Sequence, residues 1–128
     1  MTCTTNTTVS SRRRSKQLDL LIEQGATFSI PIVYKEDNVA VDLTGATVRC
    51  QFREKINSAL PLLDLTTAVG GGLVITPLEG KIVMTITDAQ TEDMKIWAGV
   101  WDMLITFPSG EKFRILKGRW TLDRGVTR

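Results

Sequence analysis

The chain has 128 residues, 42% of them hydrophobic, and its 16 basic and 14 acidic residues leave a net charge of +2. That length makes one domain, which can bury about two-thirds of its unfolded surface without a disulfide or metal, and no apolar run approaches the ~18 residues needed to cross a bilayer. There is no histidine, which excludes Ser-His-Asp and Cys-His nucleophilic sites in their usual form and histidine-based zinc sites.

Residues 1–16 (MTCTTNTTVSSRRRSK) are rich in Thr, Ser and Arg and hold Val9 as their one apolar side chain besides Met1 and Cys3. Such a stretch cannot offset its own ordering entropy, so it is expected to be a flexible arm that orders against a partner. No apolar segment follows its basic cluster, so a secretory leader is not expected. Arg12, Arg13, Arg14 and Lys16 carry the arm's charge; without them 12 basic and 14 acidic residues remain, a body of net −2.

From residue 17 the pattern is strand after strand. Gln17 to Ile22 is short and apolar, and Glu23-Gln24-Gly25 turns the chain. Phe28, Ile30, Ile32 and Tyr34 alternate in the next run, where Pro31 predicts a sheet edge or a bulge because it cannot donate to a ladder. Lys35 to Asn38 predicts a hairpin turn, and Asp42-Leu43-Thr44-Gly45 a second turn. Thr47 to Arg53 is the clearest strand, with Val48, Cys50 and Phe52 on the core face. Residues 54–72 are less regular, with a short strand after Pro61 and a loop at Gly70-Gly71-Gly72. Leu73 to Ile75 and Lys81 to Thr87 predict two strands around the Pro77–Gly80 turn.

Asp88 to Ile96 is the one predicted helix, capped by Thr87 or Asp88 with acids near its start. At about two turns it is a crossover, not a layer. Gly99 to Phe107 and Glu111 to Asp123 make a closing hairpin around Pro108-Ser109-Gly110, with Trp101 and Trp120 as core. Eight or nine short strands at 8–12-residue spacing predict an all-β chain, an antiparallel immunoglobulin-like β-sandwich with one short helix and an extended N-terminal arm. The domains are the arm, residues 1–16, and the sandwich, residues 17–128.

No chemistry-bearing constellation emerges. Asp88, Glu92 and Asp93 fit helix-start chemistry, and Asp37 and Asp42 fit turns, so neither pair is assigned a catalytic or calcium role. Cys3 and Cys50 are too few for zinc and are expected as free thiols. No catalytic, cofactor-binding or metal residue is assigned, and no cofactor is expected. Arg12, Arg13, Arg14 and Lys16 have three readings: phosphate contact, a solvated tail, or docking onto an acidic protein surface. Docking is favoured because the body is acidic and a second copy can serve as receptor. Trp97 is read as a plug at one end of the sandwich; a carbohydrate platform requires exposed aromatics with polar neighbours.

Ordered pieces along residues 20–128 carry a resemblance. They are Gln24-Gly25-Ala26-Thr27-Phe28, Asp42-Leu43-Thr44-Gly45-Ala46-Thr47-Val48, Ile86-Thr87-Asp88-Ala89-Gln90-Thr91, Trp97 with Gly99 to Leu104, and Leu116, Gly118, Trp120 and Val126 to Arg128. In this order they resemble small β-sandwich virion proteins of tailed bacteriophages, the baseplate upper protein N-terminal domains and tail-fibre adaptor modules. Within the pattern Gly25, Asp42, Thr44, Gly45, Trp97, Trp101, Gly118 and Trp120 are fold-defining. The basic arm stands outside it, and Trp101 precedes Asp102 where the group has a tyrosine. The resemblance implies a non-enzymatic virion protein assembled in the host cytoplasm, a tail or baseplate adaptor for fibres or spikes. Its implied partners are other virion proteins of the tail, baseplate, fibre or portal and further copies of itself in a ring, with no membrane or nucleic acid. Capsid decoration or head–tail closure, and a carbohydrate-binding host-attachment module, are the alternatives.

Overall fold

The computed structural model describes residues 7–9 and 15–126; Cys3, Arg12, Arg13 and Arg14 lie outside them. Strict alternation builds the two central strand pairs. In β4 (Phe28–Glu36) Ile30, Ile32 and Tyr34 are buried, and Ile82, Met84 and Ile86 are their cross-strand neighbours in antiparallel β9 (Lys81–Ile86). In β6 (Thr47–Arg53) Val48, Cys50 and Phe52 are buried against Ile105, Met103 and Trp101 of β10 (Ala98–Thr106). Each pair leaves its other face to solvent, the period-2 rule of an antiparallel sheet.

These pairs, each joining strands distant in the chain, are the centres of two sheets, with the core between them. The first has the order β1-β4-β9-β8, from β1 (Thr7–Val9) to β8 (Leu73–Thr76), with β5 (Val39–Ala40) folded back on β4. The second runs β2-β11-β10-β6-β7, from β2 (Lys16–Gln17) to β7 (Leu63–Thr66), through the long β11 (Lys112–Asp123), against which β3 (Leu20–Glu23) also pairs. The orders β4-β9-β8 and β11-β10-β6-β7 are those of the two immunoglobulin sheets, with β7 as the added edge strand. The all-β sandwich with one short α-helix predicted from the sequence is therefore observed, except that β1, β2 and β3 pair in parallel where every pairing was expected to be antiparallel, and most of the predicted arm lies outside the described residues. Among the described residues there are eleven strands, more than the eight or nine predicted, because the extra ones are pairings of two or three residues that alternation cannot signal.

Two of these short pairings lie in the segment predicted as an arm. Thr7–Val9 pairs in parallel with Ile32–Tyr34, and Lys16 sits opposite Leu116 of β11. Pro31 is tolerated for a related reason. The Tyr34 N–H donates to the Gly80 carbonyl, so even-numbered residues of β4 bond toward β9. The missing donor of Pro31 points the other way, toward the β1 side, and leaves the ladder intact. The Asp37-Asn38 turn has positive φ at both residues, 51° and 64°, the geometry of a type I′ hairpin.

The predicted helix is shorter than its acids suggested. α1 spans Asp88–Glu92, capped by a box in which the Thr87 hydroxyl accepts the Gln90 N–H and the Gln90 side chain accepts the Thr87 N–H. It stops because Thr91 and Met94 are both buried: the Thr91 hydroxyl accepts from Gly25 N–H (3.0 Å) and donates to the Ala26 carbonyl (2.9 Å). That anchor turns the chain into β10 in place of a second helical turn. Gln17 to Ile22 is likewise not one strand but two, broken at Leu18-Asp19.

The break has a cause. The Trp101 indole N–H donates to the Leu18 carbonyl (2.9 Å), and Asp19 accepts the Arg119 N–H (3.0 Å). This draws the Leu18 carbonyl onto Gly118, where a Cβ would overlap it. Phe52 stacks on Trp101 at 5.7 Å and meets Trp120 edge-on at 6.4 Å, so the three rings fill the second sheet's inner face. Gly118→Ala is expected to lower stability by about 1–3 kcal/mol through overpacking, read as a reduced thermal midpoint; an unchanged midpoint would remove this close approach from the account of the fold.

Candidate functional site

On β11 the basic residues fall into two pairs of opposite parity, Lys112 with Arg114 and Lys117 with Arg119. In an unbroken strand they would point to opposite faces. The register against β10 shifts between Met103 and Leu104: Met103 faces Leu116 while Leu104 faces Arg114, so Ile115 is an extra, bulged residue. Ile115 and Leu116 are consequently both buried, and all four cations are exposed. Their cross-strand neighbours on β10 are Thr106, Leu104, Asp102 and Val100, whose partners on β6 are Thr47, Arg49, Gln51 and Arg53. Directly opposed residues share a face, so Arg49 and Arg53 join the same surface, and Asp64 joins it through Gln51.

Asp123 shares the parity of Lys117 and Arg119, and Glu23 opposes it, so among the described residues this outer face carries six cations against four carboxylates, a net of two positive charges. Of the 12 basic and 14 acidic residues in 17–128, that leaves six basic against ten acidic for the rest of the body. The acidic body expected from the sequence is thus polarised: a basic sheet face and an acidic remainder. The guanidiniums are held in place. Arg49 makes a forked pair with Asp64 (3.0 and 2.6 Å), which raises the Arg49 pKa and lowers that of Asp64. Arg114 pairs with Asp102 at 3.2 Å. Arg53 donates to the Ser58 carbonyl (2.7 Å) and Gln51 Oε1 (2.8 Å), tying the 54–62 loop to the sheet. These exposed pairs contribute little stability; they orient charge. Val100 and the 37%-exposed Leu104 give the face an apolar centre.

The end of the sandwich beside α1 has the opposite character. The 54–62 loop leaves β6 there, Trp97 precedes β10 and residues 124–126 follow β11, side by side because Arg53 opposes Val100 and Ala98 opposes Thr121. Ile56 (86%), Leu60 (80%) and Trp97 (57%) are exposed at this end, among the carboxylates of Glu54, Asp88, Glu92 and Asp93 and the cations of Lys55, Lys95 and Arg124, with Glu23 and Asp123 at its border with the sheet face. Trp97 is therefore not the buried plug predicted. Its ring lies under the Arg124 guanidinium, 4.6 Å from the centroid. It borders a cleft of about 420 Å³ with Gln24, Glu92, Lys95 and Arg124. Gln24 organises the cleft by donating to the Glu92 and Met94 carbonyls and accepting from Gly125 N–H.

The remaining residues singled out in the sequence are scattered. Arg12, Arg13 and Arg14 fall outside the described residues, and Lys16 is exposed on β2. Trp101, Gly118 and Trp120 meet in the second sheet. Gly25 lies within the β3–β4 turn with φ 83°. Asp42, Thr44 and Gly45 form the turn before β6: Asp42 Oδ1 accepts the Thr44 N–H (2.9 Å) and hydroxyl (2.6 Å), and Gly45, at φ 77°, packs beneath Pro108. Cys50 is a buried free thiol whose pKa desolvation pushes well up. Among the described residues no cluster of three or more Cys, Asp or Glu could hold a metal ion, and no helix is long and apolar enough to cross a membrane. The basic face was missed because charge was counted by segment; the lysine–arginine alternation of β11 was its signal.

No family model matches the chain, and no curated protein does. Among solved structures it is similar to the N-terminal domain of phage TP901-1 ORF48, with a TM-score of 0.55 at 10% identity, over 96% of this chain and 99% of that one. It shares the fold of that domain from end to end. Weaker likenesses are to Tim-1 (TM-score 0.49, 12% identity, 90% of this chain and 99% of that one) and to Drosophila OTK, extracellular domains 3-5 (0.37, 12%, 81% and 32%). Both scores fall below the level at which a common fold follows.

The Asp42 turn has a pH signature. The Thr44 hydroxyl and N–H hold the Asp42 carboxyl below its ordinary range. A lowered folded-state pKa adds stability above the unfolded value and loses it as pH falls through the folded one. Thermal midpoints measured from about pH 5 down to about pH 2 should therefore decline, and Asp42→Asn, which keeps an acceptor but cannot titrate, should flatten part of that slope. An unaltered slope would show that Asp42 is not among the titrating groups.

Proposed function

We propose that this chain is a structural protein of a tailed-phage particle, catalysing no reaction, and that it serves as a tail or baseplate adaptor to which fibres or spikes attach. The observation that supports this reading is the end-to-end fold similarity to a domain of a phage protein, TP901-1 ORF48. The surfaces fit the same job. The charged residues are organised as docking faces, the basic outer sheet and the acidic α1 end, and modest contacts of this kind sum through effective concentration when many copies are held together. Arg12, Arg13 and Arg14 add charge complementarity from the arm, and partners are other virion proteins and further copies of the chain. The protein's place is then the virion, assembled in the host cytoplasm.

The test is direct. Peptide mass spectrometry of purified particles is expected to find the chain, and antibody-labelled electron micrographs to place it at the tail tip. Label on the head would replace the adaptor role with capsid decoration or head–tail closure, and absence from particles would overturn the reading.

A second reading has one observation in its favour. Trp97 is an exposed aromatic beside polar Gln24, Lys95 and Arg124, the combination that a carbohydrate platform requires. Arg124 already covers part of the ring, which argues for a weak site at most. On a glycan array the adaptor reading expects no hits; specific hits that disappear in Trp97→Ala would establish the host-attachment module in its place.

A further inference from the structure

The two polarised surfaces belong to one chain and are complementary. The outer face of the second sheet carries a net of two positive charges, its cations set around an apolar centre of Val100 and Leu104 and its Asp123 and Glu23 at the margin beside the α1 end. The α1 end presents Ile56, Leu60 and Trp97 to solvent among carboxylates that outnumber the cations Lys55, Lys95 and Arg124 there. An apolar centre rimmed by charge is the anatomy of a protein–protein interface, and arginine is favoured there. We propose that the basic sheet face docks the acidic α1 end of a second copy of this chain.

Because the two patches are different surfaces, the contact is head-to-tail. It closes into a ring if the rotation between copies permits and otherwise runs on as a filament. Opposite rims set the register and exclude face-to-face pairing, where like charges would meet. The fixed guanidiniums of Arg49 and Arg114 lose little rotamer freedom on docking, since their partners Asp64 and Asp102 already hold them. Those two carboxylates also tell against nucleic acid as the occupant. They stand on the basic face and would repel a phosphate backbone, and no aromatic side chain lies among its cross-strand pairs for bases to stack on.

This self-contact deepens the assembly reading above and draws its biological use from it. It is measured on the isolated chain, so its failure leaves particle incorporation untouched, and absence from particles leaves the contact untouched.

The experiment is sedimentation velocity on the full chain over a concentration series, with two charge-reversed variants. Lys112→Glu/Lys117→Glu alters the sheet face. Glu92→Lys/Asp93→Lys alters the α1 end and places cations at a helix C-terminus, where they are tolerated. Circular dichroism checks that each retains the strand spectrum. The wild-type chain is expected to form oligomers that dissociate when ionic strength rises from about 0.1 M to about 1 M and the screening length shrinks from about 10 Å to about 3 Å. Each variant alone should be monomeric, and an equimolar mixture of the two should recover complexes, because the reversed face now fits the reversed end. A wild-type chain that stays monomeric throughout overturns the proposal, as do oligomers indifferent to both reversals. Tight binding of a fluorescent DNA duplex to the wild-type chain, lost in Lys112→Glu/Lys117→Glu, would overturn it in favour of a polyanion surface.

Discussion

Between Arg114 and Leu116 the last strand holds one residue more than β10 opposes, and most of the second sheet depends on that extra residue. With unbroken alternation, burial of Phe113 and Ile115 would carry Lys117 and Arg119 into the core and turn Trp120 and Leu122 out to solvent. Buried unpaired charge costs several kcal/mol, and so does exposing a tryptophan. The bulge at Ile115 resolves the conflict by resetting parity. On the inside, Trp120 comes to meet Phe52. On the outside, four cations of β11 line up with Arg49 and Arg53. Core and candidate docking face are two consequences of one irregularity.

The same strand fixes the entry of the chain into the sandwich. Gly118 lets the Leu18 carbonyl approach close enough to receive the Trp101 N–H, and the parallel pairings of β2 and β3 on β11 flank that point. Thr91, Gln24 and the capping box of α1 do the corresponding work at the opposite corner, where they join the β3–β4 turn to the crossover and the chain end. The sheets are held apart by aliphatic and sulfur-bearing side chains, Cys50 lying 3.8 Å from the Met84 sulfur across the core. The charges of the sheet face therefore sit on paired strands, which keeps them in fixed relation, whereas Ile56 and Leu60 stand on the 54–62 loop.

An immunoglobulin-like sandwich hosts many unrelated jobs, and its architecture alone names none of them. What distinguishes this chain is the distribution of charge over the fold: a basic sheet face and an acidic remainder, with Ile56, Leu60 and Trp97 exposed at the α1 end.

Strand identity was legible in the sequence wherever one face is buried and the other wet, because period-2 alternation reports that directly: Thr47–Arg53, Lys81–Ile86 and the closing hairpin were all readable. So were the Asp42-Thr44-Gly45 turn and the Thr87 cap, whose partners lie within three residues. Side-chain pairing between distant segments was not. Trp97 looked like a core residue because bulk and hydrophobicity are local properties, whereas its exposure depends on where β10 begins beside β11. The helix was overestimated because its end is decided by Thr91 bonding to Gly25 and Ala26, some 65 residues away in the chain. The basic face was hidden for the same reason. Composition counts charges by segment, but which charges share a surface is settled by register across strands, and a single bulged residue reverses the answer.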